Sequence, residues 1–133
     1  MTRRRAPLAG RRILVAEDEY LIGRDLERTL LAAGCAEVLL VPSIADCHRV
    51  RARTDLDAAV LDLRLRDGDA SALARALRAD GVPILFITGY EETALPDDMR
   101  ELPLLAKPFP RQQLLACLAE ILGASNAHGG HAE

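Results

Sequence analysis

The sequence predicts an α/β fold, a doubly wound parallel sheet built from five strand–helix units. Three observations predict it. Short apolar runs alternate with segments of helical periodicity along most of the 133 residues. Those runs are apolar throughout instead of alternating, the pattern of strands covered on both faces. The links between units are short, as parallel crossovers packed on one sheet require. The length suits one domain with a real core. Half the residues are hydrophobic and 28% are charged, a balance that excludes wholesale disorder.

The elements follow in order. Residues 13–16 (Ile-Leu-Val-Ala) form the first strand, and Ile22, Leu26, Leu30 and Ala33 give a helix that Gly34 stops. Residues 38–41 form the second strand. Ser43 and Asp46 make a capping-box-like start for a helix that includes Val50. Residues 58–61 are the third strand. The turn Asp67-Gly68 and an N-cap at Asp69 lead into a helix burying Leu73, Ala76 and Leu77. Residues 82–87 and 102–106 are the fourth and fifth strands. Pro110 opens a last helix carrying Leu114, Leu118 and Ile121 and ending near Leu122. The weakest element is the fourth helix, because residues 91–100 contain Pro96 and show little apolar period.

This places a domain at residues 11–123. Residues 1–10 are expected to be a flexible basic leader and residues 124–133 a flexible tail, whose His128 and His131 make no organised metal site. The formal net charge of −3 gives no reason to expect direct nucleic-acid binding. Cys35, Cys47 and Cys117 have neither disulfide-framework nor zinc spacing and are expected to act as small hydrophobes. No apolar run approaches the roughly 18 residues of a membrane span, and no signal-peptide core is present. A soluble, cytoplasmic chain without membrane contact is expected. One oddity stands out: of 17 basic residues, 16 are Arg, and Lys107 is the only Lys.

In a doubly wound sheet, ligands bind at the carboxyl ends of the strands. Strand one ends in Glu17-Asp18-Glu19, strand three in Asp62, strand four in Thr88 and strand five in Lys107, so carboxylates, a hydroxyl and an amine share one rim. Glu19 is assigned to a helix cap or solvated loop. Asp62, between Leu61 and Leu63, is expected to be partly desolvated. Clustered carboxylates repel unless a counter-charge is present, and Lys107 supplies only one. Mg²⁺ suits two or three carboxylates with open water positions. Such a rim is arranged for phosphoryl transfer, with Asp62 as nucleophile, Thr88 as hydrogen-bond donor and Lys107 neutralising phosphoryl oxygens. A compact ammonium fits a crowded pocket where a guanidinium fork would not, which gives the single Lys a reason.

Ile13-Leu14-Val15-Ala16-Glu17-Asp18-Glu19, Val60-Leu61-Asp62-Leu63, Phe86-Ile87-Thr88-Gly89 and Lys107-Pro108-Phe109 together closely resemble the receiver domain of two-component response regulators. The resemblance covers residues 11–123. It implies a flavodoxin-like (βα)5 fold with strand order 2-1-3-4-5 and a cis Lys107–Pro108 bond. It further implies that Asp62 accepts phosphate from a sensor histidine kinase or a histidine phosphotransfer protein. Asp18, Asp62 and the backbone carbonyl of Arg64 would ligate Mg²⁺, with Glu17 acting directly or through water, and Thr88 and Lys107 would hold the phosphoryl group. The chain would be a signalling phosphoacceptor with slow self-dephosphorylation, presenting a changed surface to a downstream protein partner, with a homodimer left open.

Two departures qualify the family pattern. Leu104 stands where the usual switch has an aromatic residue, so the Thr-to-aromatic coupling does not operate in its usual form. Only 18 residues separate Thr88 from Lys107, so the fourth helix is expected to be short, irregular or mobile. The run from Pro83 to Tyr90 is similar to a receiver subgroup with a Phe-Ala-Thr-Gly-Tyr signature, Ile87 replacing the Ala. Phosphorylation is accordingly expected to order residues 89–102, with Tyr90 as reporter. Two alternatives remain: a Mg²⁺-dependent phosphohydrolase using an aspartyl phosphate, and a receiver-like module that binds partners without phosphorylation. The hydrolase generally needs a second carboxylate two residues past the nucleophile, where this chain has Arg64.

Overall fold

The computed structural model describes residues 7–89 and 95–130. Five parallel strands form one sheet: β1 (Arg12–Ala16), β2 (Glu37–Val41), β3 (Ala58–Asp62), β6 (Ile84–Thr88) and β7 (Leu104–Ala106). Their spatial order is β2-β1-β3-β6-β7, the expected 2-1-3-4-5 when only the sheet strands are counted. The helices are α1 (Tyr20–Ala32), α2 (Ile44–Arg53), α3 (Ser71–Ala79) and α4 (Arg111–Gly130).

The two-residue period of a strand divides the core into two layers. Leu14, Ala16, Ala59, Leu61, Ile84 and Phe86 pack on one side with Cys47 of α2 and Leu73 and Leu77 of α3. Ile13, Val15, Ala58, Val60, Leu85 and Ile87 pack on the other with Leu26 and Leu30 of α1 and Leu114 and Leu118 of α4. The central strands β3 and β6 are buried at every position, so no polar alternation is possible along them. β2, at an edge, is only half-buried.

Local chemistry sets the element ends. Gly34 at φ +105° follows α1 and donates its N–H to the Leu31 carbonyl. Ser43 caps α2: its Oγ accepts from the Asp46 N–H at 3.1 Å and donates to Asp46 Oδ2 at 2.9 Å. The Lys107–Pro108 bond is cis.

Some expectations hold and others are corrected. The helix boundary of α3 falls at Ala70, which makes no side-chain cap bond, and the capping is done by Asp69 as expected, its Oδ1 accepting from the Ser71 N–H at 2.7 Å. Not expected is a small antiparallel ribbon that pairs Asp69 with Arg64, β4 (Arg64–Leu65) and β5 (Gly68–Asp69), too short for periodicity to reveal. The fourth helix is short and irregular, as expected: the described residues of that segment hold one 3₁₀ turn at Asp97–Met99. Pro96 before it is extended (ψ 154°), and a buried Met99 pins the turn to the core. Residues 90–94, and with them the expectation for Tyr90, lie outside the described residues. Pro7–Gly10, assigned to the leader, form turns against the domain: Leu8 is buried and Gly10 donates to the Gly34 carbonyl at 2.9 Å. α4 continues past Leu122 to Gly130, since no proline follows Pro110 and an interior Gly123 costs only about 1 kcal/mol. Among the described residues no helix is long and apolar enough to cross a membrane.

Candidate functional site

Parallel strands point their carboxyl ends the same way, so residues far apart in sequence meet at one edge. The Glu17 N–H donates to the Val41 carbonyl at 3.0 Å, which anchors the segment leaving β1 against β2. Asp62 is the last residue of β3, and the Leu63 N–H continues the ladder to the Ile87 carbonyl at 2.9 Å. Thr88 ends β6. Its carbonyl accepts from the Lys107 N–H at 2.8 Å, which fixes where the lysine leaves β7.

Lys107 is the hub. Its Nζ donates to Asp62 Oδ2 at 2.8 Å and lies 2.9 Å from Glu17 Oε1 and 3.6 Å from Glu19 Oε1. Asp62 Oδ1 accepts from the Arg64 N–H at 3.1 Å. Glu17 Oε2 accepts from the Glu19 N–H at 3.0 Å. Glu17, Asp62 and Thr88 are buried, at 3%, 6% and 4% exposure, in a region where most polar side chains would face water. Burial raises the Glu17 pKa, and the charge of Asp62 adds to the rise against the opposing Lys107 ammonium and Glu19 amide. For Lys107, burial works to lower the pKa, but the hydrogen bond to Asp62 and the close ion pair with Glu17 outweigh it and hold the ammonium above its ordinary value.

The donor set fits a hard cation. Glu17, Asp18 and Asp62 each offer a carboxylate oxygen, and these oxygens lie within 4.8 Å of one another. Glu17 Oε1 is buried and, despite the nearby ammonium, has no aligned hydrogen bond. Three carboxylates facing one lysine carry excess negative charge, which oxygen-coordinated Mg²⁺ would offset. A depression of about 560 Å³ opens beside them, lined by Asp18, Glu19, Asp62, Leu63, Arg64, Thr88, Gly89 and Lys107. It is large enough for a phosphoryl group and its waters.

All the residues singled out from the strand ends therefore meet on this rim. Glu17 lies beneath it, buried, and Arg64 reaches it through its backbone while its side chain is exposed. Glu19, expected in a helix cap or solvated loop, is 63% exposed and adds a 3.6 Å contact to Lys107. It occupies the N-cap position of α1 but makes no side-chain cap bond, and its carboxylate faces Lys107. The available signal was the unbroken acidic run Glu17-Asp18-Glu19. Leu104 is part-exposed on the edge strand β7, beside Phe86.

The family model described as the response regulator receiver domain matches residues 13–119. The chain is 34% identical over 109 residues to the swarming motility regulation protein RssB of Serratia marcescens, covering 78% of this chain and 49% of that protein. It spans about half the length of the curated relatives it matches. Among solved structures it is similar to SdrG from Sphingomonas melonis, with 32% identity and a TM-score of 0.72 over 89% of this chain and 99% of that one. It is also similar to the receiver domain of a sensor histidine kinase from Pseudomonas aeruginosa, whose active site cleft coordinates a magnesium ion. That match has 31% identity and a TM-score of 0.73 over 86% of this chain and 99% of that one.

Proposed function

Because the chain belongs to the response regulator receiver family, we propose that it is a Mg²⁺-dependent phosphoacceptor whose acceptor residue is Asp62. The observation that carries this reading is the Asp62 carboxylate itself. It is buried at a strand end, bonded to Lys107 at 2.8 Å, and grouped with Glu17 and Asp18.

In the proposed step an Asp62 carboxylate oxygen attacks the phosphorus of a phosphohistidine on a sensor histidine kinase or a histidine phosphotransfer protein. A P–O bond forms, the P–N bond breaks, and its electron pair leaves with the imidazole. Lys107 exchanges its bond to Asp62 for one to a phosphoryl oxygen, and the Thr88 hydroxyl donates to another. Asp18, Asp62 and the Arg64 carbonyl would hold Mg²⁺, with Glu17 acting directly or through water. The bound ion would neutralise charge on the phosphoryl oxygens. Phosphorylation then alters a surface read by a downstream protein. Arg64 is the residue two places past Asp62 and gives up no proton at neutral pH, so no observation favours the hydrolase.

Incubation with acetyl phosphate and Mg²⁺, read by intact mass, tests the proposal. One phosphoryl adduct is expected on the wild type and none on Asp62→Asn. No adduct on the wild type, or an equal adduct on the variant, would overturn it.

A further inference from the structure

The first turn of α2 has three N–H groups without helical partners, those of Ile44, Ala45 and Asp46. All three are satisfied, but only one from within the helix's own cap. Ser43 Oγ takes the Asp46 N–H, while Asp67 takes the other two from across the fold. Asp67 Oδ1 accepts from Ile44 at 2.8 Å and Oδ2 from Ala45 at 3.1 Å. One carboxylate thus spans two successive amides at a helix N-terminus, where the helix dipole favours negative charge.

Asp67 lies in the turn of the β4–β5 ribbon, three residues after Arg64 and five after Asp62. The ribbon is short and internally stiff. Arg64 pairs with Asp69 and Leu65 with Gly68, the Arg64 N–H is bonded to Asp62 Oδ1, and the Ala70 N–H closes on the Leu63 carbonyl at 2.9 Å. Leu65 is buried in the core layer against which Ile44 packs. Gly68 sits at φ +138°, and a Cβ there would lie 3.6 Å from Ile44 Cδ1. The segment that presents the Arg64 carbonyl is therefore held at one end by Asp62 and at the other by α2.

We propose that Asp67 is a positioning residue: by clamping the ribbon to the N-terminus of α2, it sets the Arg64 carbonyl toward the Asp62 site and couples that site to the helix. This deepens the phosphoacceptor reading and rests on it. The coupling is reciprocal, so a ligand that orders the Arg64 carbonyl also holds the first turn of α2.

The test compares Mg²⁺ affinity, by calorimetric titration, with amide hydrogen exchange at Ile44 and Ala45. Asp67→Ala is expected to weaken Mg²⁺ binding about tenfold, as the loss of a group supporting a metal ligand does. In the wild type Mg²⁺ slows exchange at both amides, and in Asp67→Ala that protection is lost. Ser43→Ala, which removes the helix's own cap without touching the ribbon, destabilises α2 and, through the same coupling, weakens Mg²⁺ binding by much less than Asp67→Ala does. Asp67→Asn folds with one acceptor oxygen in place and falls between the wild type and Asp67→Ala. Wild-type Mg²⁺ affinity in Asp67→Ala, or equal weakening in Ser43→Ala or Asp67→Asn, overturns the positioning role alone. A wild type that binds no Mg²⁺ overturns the phosphoacceptor reading as well.

Discussion

Lys107 concentrates the chemistry of the rim in one ammonium. It is the only lysine among sixteen arginines, and it serves Asp62, Glu17 and Glu19 within 3.6 Å. Its side chain is 16% exposed, and its compact ammonium meets carboxylates from three segments in a way that a planar five-donor fork does not reproduce. Lys107→Arg keeps the charge and misplaces it. Phosphorylation by a small phosphodonor is expected to slow by on the order of a hundredfold, as a 1 Å misplacement in an active site does. Time courses of the adduct by intact mass measure this, and a rate within twofold of wild type would show that charge alone suffices. Phe86 is the contrasting residue, fully buried in the centre of the sheet and remote from any ionic role. Phe86→Ala is expected to destabilise the fold by about 3–5 kcal/mol, measured by urea unfolding, through lost burial and the cavity left behind.

At the scale of elements, the junction of the β4–β5 ribbon with α2 carries a pH signature. Hydrogen bonds from the Ile44 amide and then the Ala45 amide, aided by Arg66, hold the Asp67 carboxyl below its ordinary value of 3.8. A carboxyl lowered in the folded state stabilises it above the unfolded pKa, and that stability is lost as pH falls through the folded pKa. The stability gap between wild type and Asp67→Asn should therefore be constant above about pH 5 and shrink below 3.8. Urea midpoints across that range check the sign; a gap that grows on acidification would contradict it. The segment before β7 is held in a comparable way. Arg75 grips Asp98 through two bonds, at 2.9 and 3.2 Å, and Arg78 donates to the Asp98 carbonyl at 2.9 Å. The 3₁₀ turn at Asp97–Met99 is thereby fixed to α3.

For the whole molecule, the sheet joins two apolar layers and gathers Glu17, Asp62 and Thr88, three of the buried polar residues among those described, at its carboxyl-end rim. Buried Glu17 and Asp62 place two carboxylates side by side at that rim, and among the described residues Lys107 is the cation in contact with both. A cation bound there stabilises the folded state by mass action, about 2.7 kcal/mol at a hundred times its Kd. Millimolar Mg²⁺ is expected to raise the melting temperature, and EDTA to reverse the rise. Asp18→Asn should lose most of that increment while melting near the wild type without metal. Differential scanning calorimetry decides the matter, and an equal shift in Asp18→Asn would remove that residue from the ligand set.

Much of this was legible in one dimension. Apolar runs too continuous for a half-exposed strand established a sheet covered on both faces, and the rule that strand ends collect ligands singled out Glu17, Asp18, Asp62, Thr88 and Lys107. Both depend on periodicity and chain order, which a sequence carries directly. The tertiary structure alone decided three things. It brought the exposed Glu19 carboxylate within 3.6 Å of Lys107, set Asp67, in the turn of the β4–β5 ribbon, on the first amides of α2, and docked Leu8 into the core. Each is a contact between segments with no shared period, made by one or two side chains. Such contacts are set by where packed elements bring their ends together, and that geometry exists only once the sheet has formed.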